Sequence, residues 1–89
     1  MRYTRFEQAY KTTREIRQIL QEKNLLEKVT SCAPWCIGKE RCIVLITVDN
    51  EEALRQVAEA LGLEIKNRHA EGLYRNTTVI CKIGTIHLL

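Results

Sequence analysis

Residues 42–48, CIVLITV, contain no charged side chain and are rich in β-branched residues. A strand that is apolar on both faces has to be covered or contacted on both sides, as the central strand of a sheet is. A chain of 89 residues has room for one core. We therefore predict a single domain over residues 1–89, built around this strand.

Two segments have the periodicity of amphipathic helices. Thr4 and Glu7 have the spacing of a capping box, which predicts a first helix over residues 4–23. In the second segment Asp49 and Asn50 are N-cap candidates and Gly62 is a C-terminal stop, so a shorter helix is expected between them.

The remaining apolar segments are short and predict strands at residues 63–69 and 77–83, with a weaker candidate at 27–32. A right-handed crossover through the second helix, with the last strand inserted beside the central one, gives the sheet order 1-2-4-3. The predicted fold is α+β, in the order α-β-β-α-β-β. It has a four-stranded antiparallel sheet with two helices on one face, which is a permuted ferredoxin-like sandwich.

The sheet face without helices should be polar in an isolated monomer, but the predicted central strands are apolar on both sides. Such a patch usually marks a protein interface, and Trp35 adds a candidate anchor. We predict a regulatory module that binds a protein partner or forms a homodimer through Trp35, Ile43, Leu45 and Ile80. The alternative is that the last residues, TIHLL, cover this face.

Basic and aromatic residues support a second hypothesis, a module that binds nucleic acid. One group follows the first helix, and the other lies in residues 66–76, which we predict to be a loop around Gly72. Such side chains contact phosphates and stack on bases, but they also occur on solvated helix faces and polar turns. The candidate residues are Tyr10, Arg14, Arg17, Lys66, Arg68, Tyr74 and Arg75.

Three of the four cysteines, Cys32, Cys36 and Cys42, lie within eleven positions. A proline and a glycine between them predict a hairpin loop over residues 33–41. We interpret the cysteines as unpaired thiols. The alternatives are a Cys32–Cys42 disulfide, and a zinc or redox site that uses all three.

The sequence contains no apolar run long enough to span a bilayer and no secretory signal, so we expect a cytoplasmic protein without membrane contact. Phosphate-binding and catalytic motifs are also missing, so we expect no enzyme and no cofactor apart from the zinc alternative. The net charge of +3 favours an acidic or nucleic-acid partner only weakly. The small size is compatible with an accessory protein of a virus or mobile element.

Overall fold

A computed structural model describes residues 4–38 and 40–84. Two helices and five strands follow one another, with a short 3₁₀ turn at Leu26–Lys28. They are α1 (Phe6–Glu22), β1 (Val29–Cys36), β2 (Cys42–Val48), α2 (Glu51–Leu61), β3 (Glu64–Lys66), β4 (His69–Tyr74) and β5 (Thr77–Ile83). The strands form one sheet in the order β1-β2-β5-β4-β3. The predicted α+β class is therefore confirmed.

The sheet is mixed, so the predicted four-stranded antiparallel arrangement with order 1-2-4-3 is wrong. β2 and β5 are parallel, and the other neighbouring pairs are antiparallel. The predicted strand 63–69 divides at Asn67, which has a positive φ of 59° and turns the chain so that Lys66 lies opposite His69. This additional hairpin reverses the direction of every later strand, and the last strand consequently runs parallel to β2.

A second tight turn joins β4 to β5. Arg75 and Asn76 have φ angles of 51° and 66°, as a two-residue type I′ hairpin requires. The predicted turn at Gly72 is wrong, because Gly72 lies within β4. A Cβ atom added at Gly72 would lie 3.2 Å from a methyl carbon of Leu63, so this glycine allows close packing instead of a turn.

The predicted capping residues are confirmed for α2 but not for α1. Asn50 caps α2 by accepting a hydrogen bond from the Ala53 N–H at 2.9 Å, and Gly62 ends it in the left-handed conformation, as predicted. The capping box of α1 is not formed, because α1 begins after Arg5. Thr4 instead pairs with Cys42 through the backbone, and the Cys42 N–H donates to the Thr4 carbonyl at 2.9 Å.

The core lies between the two helices and one face of the sheet. Side chains of both helices and of alternate strand residues form one buried cluster, and full burial of an aliphatic side chain contributes about 1.5 to 3 kcal/mol. Its fully buried large members are Ile16, Leu20, Val44, Ile46, Val48, Val57 and Val79. In the described ranges no helix is long and apolar enough to cross a membrane.

Candidate functional site

Trp35 lies on β1, outside any loop, and is paired with Ile43 of β2. The predicted loop at residues 33–41 is too long, because β1 continues to Cys36 and the Ile37 N–H still donates to the Arg41 carbonyl at 2.9 Å. A strand position fixes the backbone of Trp35 and leaves its side chain 54% exposed.

The sheet surface opposite the helices, called the open face below, carries the predicted protein-binding residues in two adjacent rows. The strand pairings place Ala33, Leu45, Ile80 and Glu71 side by side in one row. The neighbouring row contains Trp35, Ile43, Thr78 and Leu73. The fold therefore brings Trp35, Ile43, Leu45 and Ile80 together.

Leu73 also belongs to this surface, although it was not among the predicted residues. It is 55% exposed and pairs with Thr78, which places it on the open face. Because residues 66–76 were predicted to be a loop, no face was assigned to Leu73. The alternation of His69, Glu71 and Leu73 along β4 is the signal that could have found it.

A polar row borders the apolar rows on one side. It contains Ser31, Thr47, Lys82 and His69 in register, and Lys66 pairs with His69 from β3. The Glu71 carboxylate, in the next row, lies 3.1 Å from His69 Nε2 and 3.8 Å from Lys66 Nζ. The charges of this border are therefore mixed in sign.

The outer edge of β1 is protected, in contrast to the open face. In a non-hydrogen-bonded pair, the backbone N–H and C=O groups point away from the partner strand. Pro34 lies in such a pair with Val44, so its missing N–H removes no hydrogen bond between β1 and β2. The Cys32 carbonyl points the same way and accepts a hydrogen bond from the Arg17 guanidinium at 3.5 Å. Both features discourage another strand from pairing here.

The basic residues of segment 66–76 do not form one loop, so that prediction is wrong. Lys66 and Arg68 lie at the β3–β4 turn, whereas Tyr74 and Arg75 lie at the other end of β4. A strand of six residues is about 17 Å long, so the two pairs are separated by about that distance. Arg75 Nε forms an ion pair with Glu15 at 3.1 Å.

On α1 the residues Tyr10, Arg14 and Arg17 are exposed and share a stripe, and Arg17 reaches towards β1. Glu15 lies about 100° around the helix from Arg14, so Arg75 meets another flank of α1. The helix group and the strand group therefore do not merge into one basic surface. Nucleic-acid binding stays a prediction, and the predicted residues do not form one continuous site.

Cys36 and Cys42 form a disulfide, so the interpretation of unpaired thiols is wrong for these two cysteines, and so is the alternative of a Cys32–Cys42 bond. Cys32 is a free thiol. Cys36 and Cys42 face each other across the β1–β2 hairpin in a non-hydrogen-bonded pair, where Cα atoms approach most closely, here to 4.0 Å. Cys32 lies four residues earlier on β1, opposite Ile46. The three cysteines are not assembled as a ligand set, and the described residues contain no cluster of three potential metal ligands.

Cys32 and Cys81 are buried free thiols. Burial raises the pKa of Cys32 to about 11, although Arg17 partly opposes it, and raises that of Cys81 to about 12, with a smaller contribution from Cys32. Both thiols are therefore protonated at neutral pH, and a thiol is a weak nucleophile in that form.

No protein-family model, curated protein or solved structure matches the chain. Function is therefore inferred from the surfaces described above.

Proposed function

We propose that this protein is a non-enzymatic interaction module whose open face packs against another protein molecule. The observation that carries the proposal is the register that places Leu45 and Ile80 next to a row with two strongly exposed apolar side chains, Trp35 and Leu73. Burial of the exposed half of Trp35 would remove about 100 Å² of surface from water, which is worth about 2.5 kcal/mol.

Several features of the molecule support recognition through the face in preference to an edge or a reaction. β1 carries Pro34 and the Arg17 contact on its outer edge, and β3 has only three residues. The free thiols Cys32 and Cys81 are buried and protonated. We therefore propose binding without catalysis and without a cofactor.

For the compartment we keep the cytosol as our proposal, and the Cys36–Cys42 disulfide supplies its test. Reducing compartments keep cysteines as thiols, whereas oxidising compartments preserve disulfides. If the protein is cytosolic, the Cys36–Cys42 bond forms only when the protein is oxidised outside that compartment. Alkylation at the moment of cell lysis, followed by mass spectrometry, is then expected to label both cysteines. Unlabelled, bonded cysteines would place the protein in an oxidising compartment.

Photo-crosslinking from single positions tests the interaction module. A benzoylphenylalanine residue is placed at Leu73 on the open face, or at Ile65, which pairs with Ala70 and therefore faces the helix side. The two side chains are similarly exposed, at 55% and 46%, so Ile65 is a matched control. Irradiation in cells that make the protein is expected to give defined protein adducts from position 73 and not from position 65. Equal or absent adducts would contradict the proposal.

A further inference from the structure

We propose that the occupant of the open face is a second copy of this chain, packed face to face about a two-fold axis. The inference rests on the proposed function and names its partner. The axis runs parallel to the strands, between β2 and β5.

The strand directions of the sheet are symmetric about this axis. β2 and β5 are parallel, and each has an antiparallel neighbour, β1 and β4, on its outer side. Rotation by 180° therefore lays β2 over the β5 of the second copy and β1 over its β4, with all directions kept. This is the aligned arrangement of a β-sandwich, in which facing sheets lie about 10 Å apart.

The apolar rows match under the same rotation. Trp35 is brought over the partner's Leu73, so two strongly exposed apolar side chains of the open face cover each other. Leu45 is brought over the partner's Ile80 in the neighbouring row. Each contact occurs twice, as a two-fold interface requires.

The charges of Lys82 and Glu71 favour an axis parallel to the strands over an axis that runs across them. In the proposed dimer Lys82 lies over the partner's Thr47, and Glu71 lies over the partner's Ala33, so like charges do not meet. An axis across the strands would lay β4 over its own copy and bring two Glu71 carboxylates together. Like charges facing each other across an interface are unfavourable.

The size of the surface sets the expected affinity. Four strands spaced about 4.8 Å apart and three rows of side chains give a footprint of about 19 by 20 Å, or about 400 Å². A standard stable interface buries about 800 Å² on each partner. The dimer is therefore expected to dissociate in the micromolar range.

Sedimentation equilibrium of the full chain from about 1 to about 500 μM tests the dimer over that range. The mass is expected to rise from 10.3 kDa towards twice this value. Leu45→Lys is expected to stay monomeric, and Ile65→Lys to behave as wild type, with circular dichroism confirming that both fold. A constant mass of 10.3 kDa for the wild type would overturn the inference.

A chain that ends at Gly84 tests whether residues 85–89, which lie outside the described ranges, cover the face. Equal dimerisation of both chains supports the inference. Dimerisation of the shortened chain alone would overturn it for the full chain.

Mixed cysteine crosslinking tests the geometry. Chains with Trp35→Cys and chains with Leu73→Cys are treated with a short bifunctional maleimide, separately and as a mixture, because facing positions about 10 Å apart are too far for a direct disulfide. The mixture is expected to form at least about fivefold more crosslinked dimer, because position 35 faces position 73 and lies about three strand spacings from its own copy. Equal yields in all samples would overturn the proposed axis.

The two proposals fail in different ways. Adducts from position 73 that contain only other proteins, with a monomeric purified chain, would refute the homodimer and keep the interaction module. A monomeric chain without adducts specific to position 73 would refute both.

Discussion

At the scale of single residues, the disulfide between Cys36 and Cys42 is the strongest local constraint on the β1–β2 hairpin. It closes a short loop, with a sequence separation of six, so its effect on the unfolded chain is at the low end for disulfides. We expect reduction to lower the free energy of unfolding by about 2 kcal/mol, measured by urea denaturation with and without a reductant.

The matched control is the double variant Cys36→Ala/Cys42→Ala, whose stability should not respond to the reductant. The same loss in wild type and double variant, or no loss in either, would show that this bond does not stabilise the hairpin.

The buried thiols give the stability a defined pH dependence. Cys32 and Cys81 have folded pKa values of about 11 and 12, above the ordinary value of 9.0. Their contribution to stability is complete below pH 9.0 and is lost as the pH rises towards these folded values, because the unfolded chain ionises first. In that range each thiol lowers the free energy of unfolding by up to about 1.4 kcal/mol for each rise of one pH unit.

Urea denaturation at about pH 8 and pH 10 measures this slope. The variant Cys32→Ala/Cys81→Ala should be less stable at both values, because of the cavities, but should show a flatter dependence on pH. An unchanged slope in this variant would assign the pH dependence to other groups.

At the scale of elements, the turns determine the topology and were the hardest part to predict. α2 was predictable because Asn50 and Gly62 provide both of its ends. The split between β3 and β4 was not, because Asn67 takes the left-handed conformation without a glycine as a signal. For α1, the backbone pairing of Thr4 with Cys42 replaces the capping that its sequence suggested.

The β4–β5 turn offers a test at this scale. Asn76 has a φ of 66°, which an alanine adopts only at a cost, so Asn76→Ala should destabilise the protein by about 1 kcal/mol. Asn76→Gly should be neutral or stabilising, because glycine tolerates this conformation. Urea denaturation of both variants measures the difference. Equal stability of the alanine and glycine variants would contradict the assigned turn.

At the scale of the whole molecule, the sequence was sufficient to locate the open face but not its full extent. The uninterrupted apolar composition of β2 indicated that apolar side chains lie on this face whichever row of the strand faces the helices, and the structure assigns Ile43 and Leu45 to it. Leu73 and the polar border required the register of β4, which depends on the turns at Asn67 and Arg75. The disulfide was also missed, because spacing alone did not show which cysteine lies opposite Cys42.

Trp35 is the only tryptophan in the chain and lies on the open face, so its fluorescence reports directly on burial of that face. The decisive measurement is quenching of Trp35 by acrylamide at about 1 μM and at several hundred μM protein. We expect the quenching constant to fall at least about twofold at high concentration in the wild type and in Ile65→Lys, and to stay constant in Leu45→Lys. A constant value in the wild type, or an equal fall in Leu45→Lys, would contradict burial of the open face by a second copy.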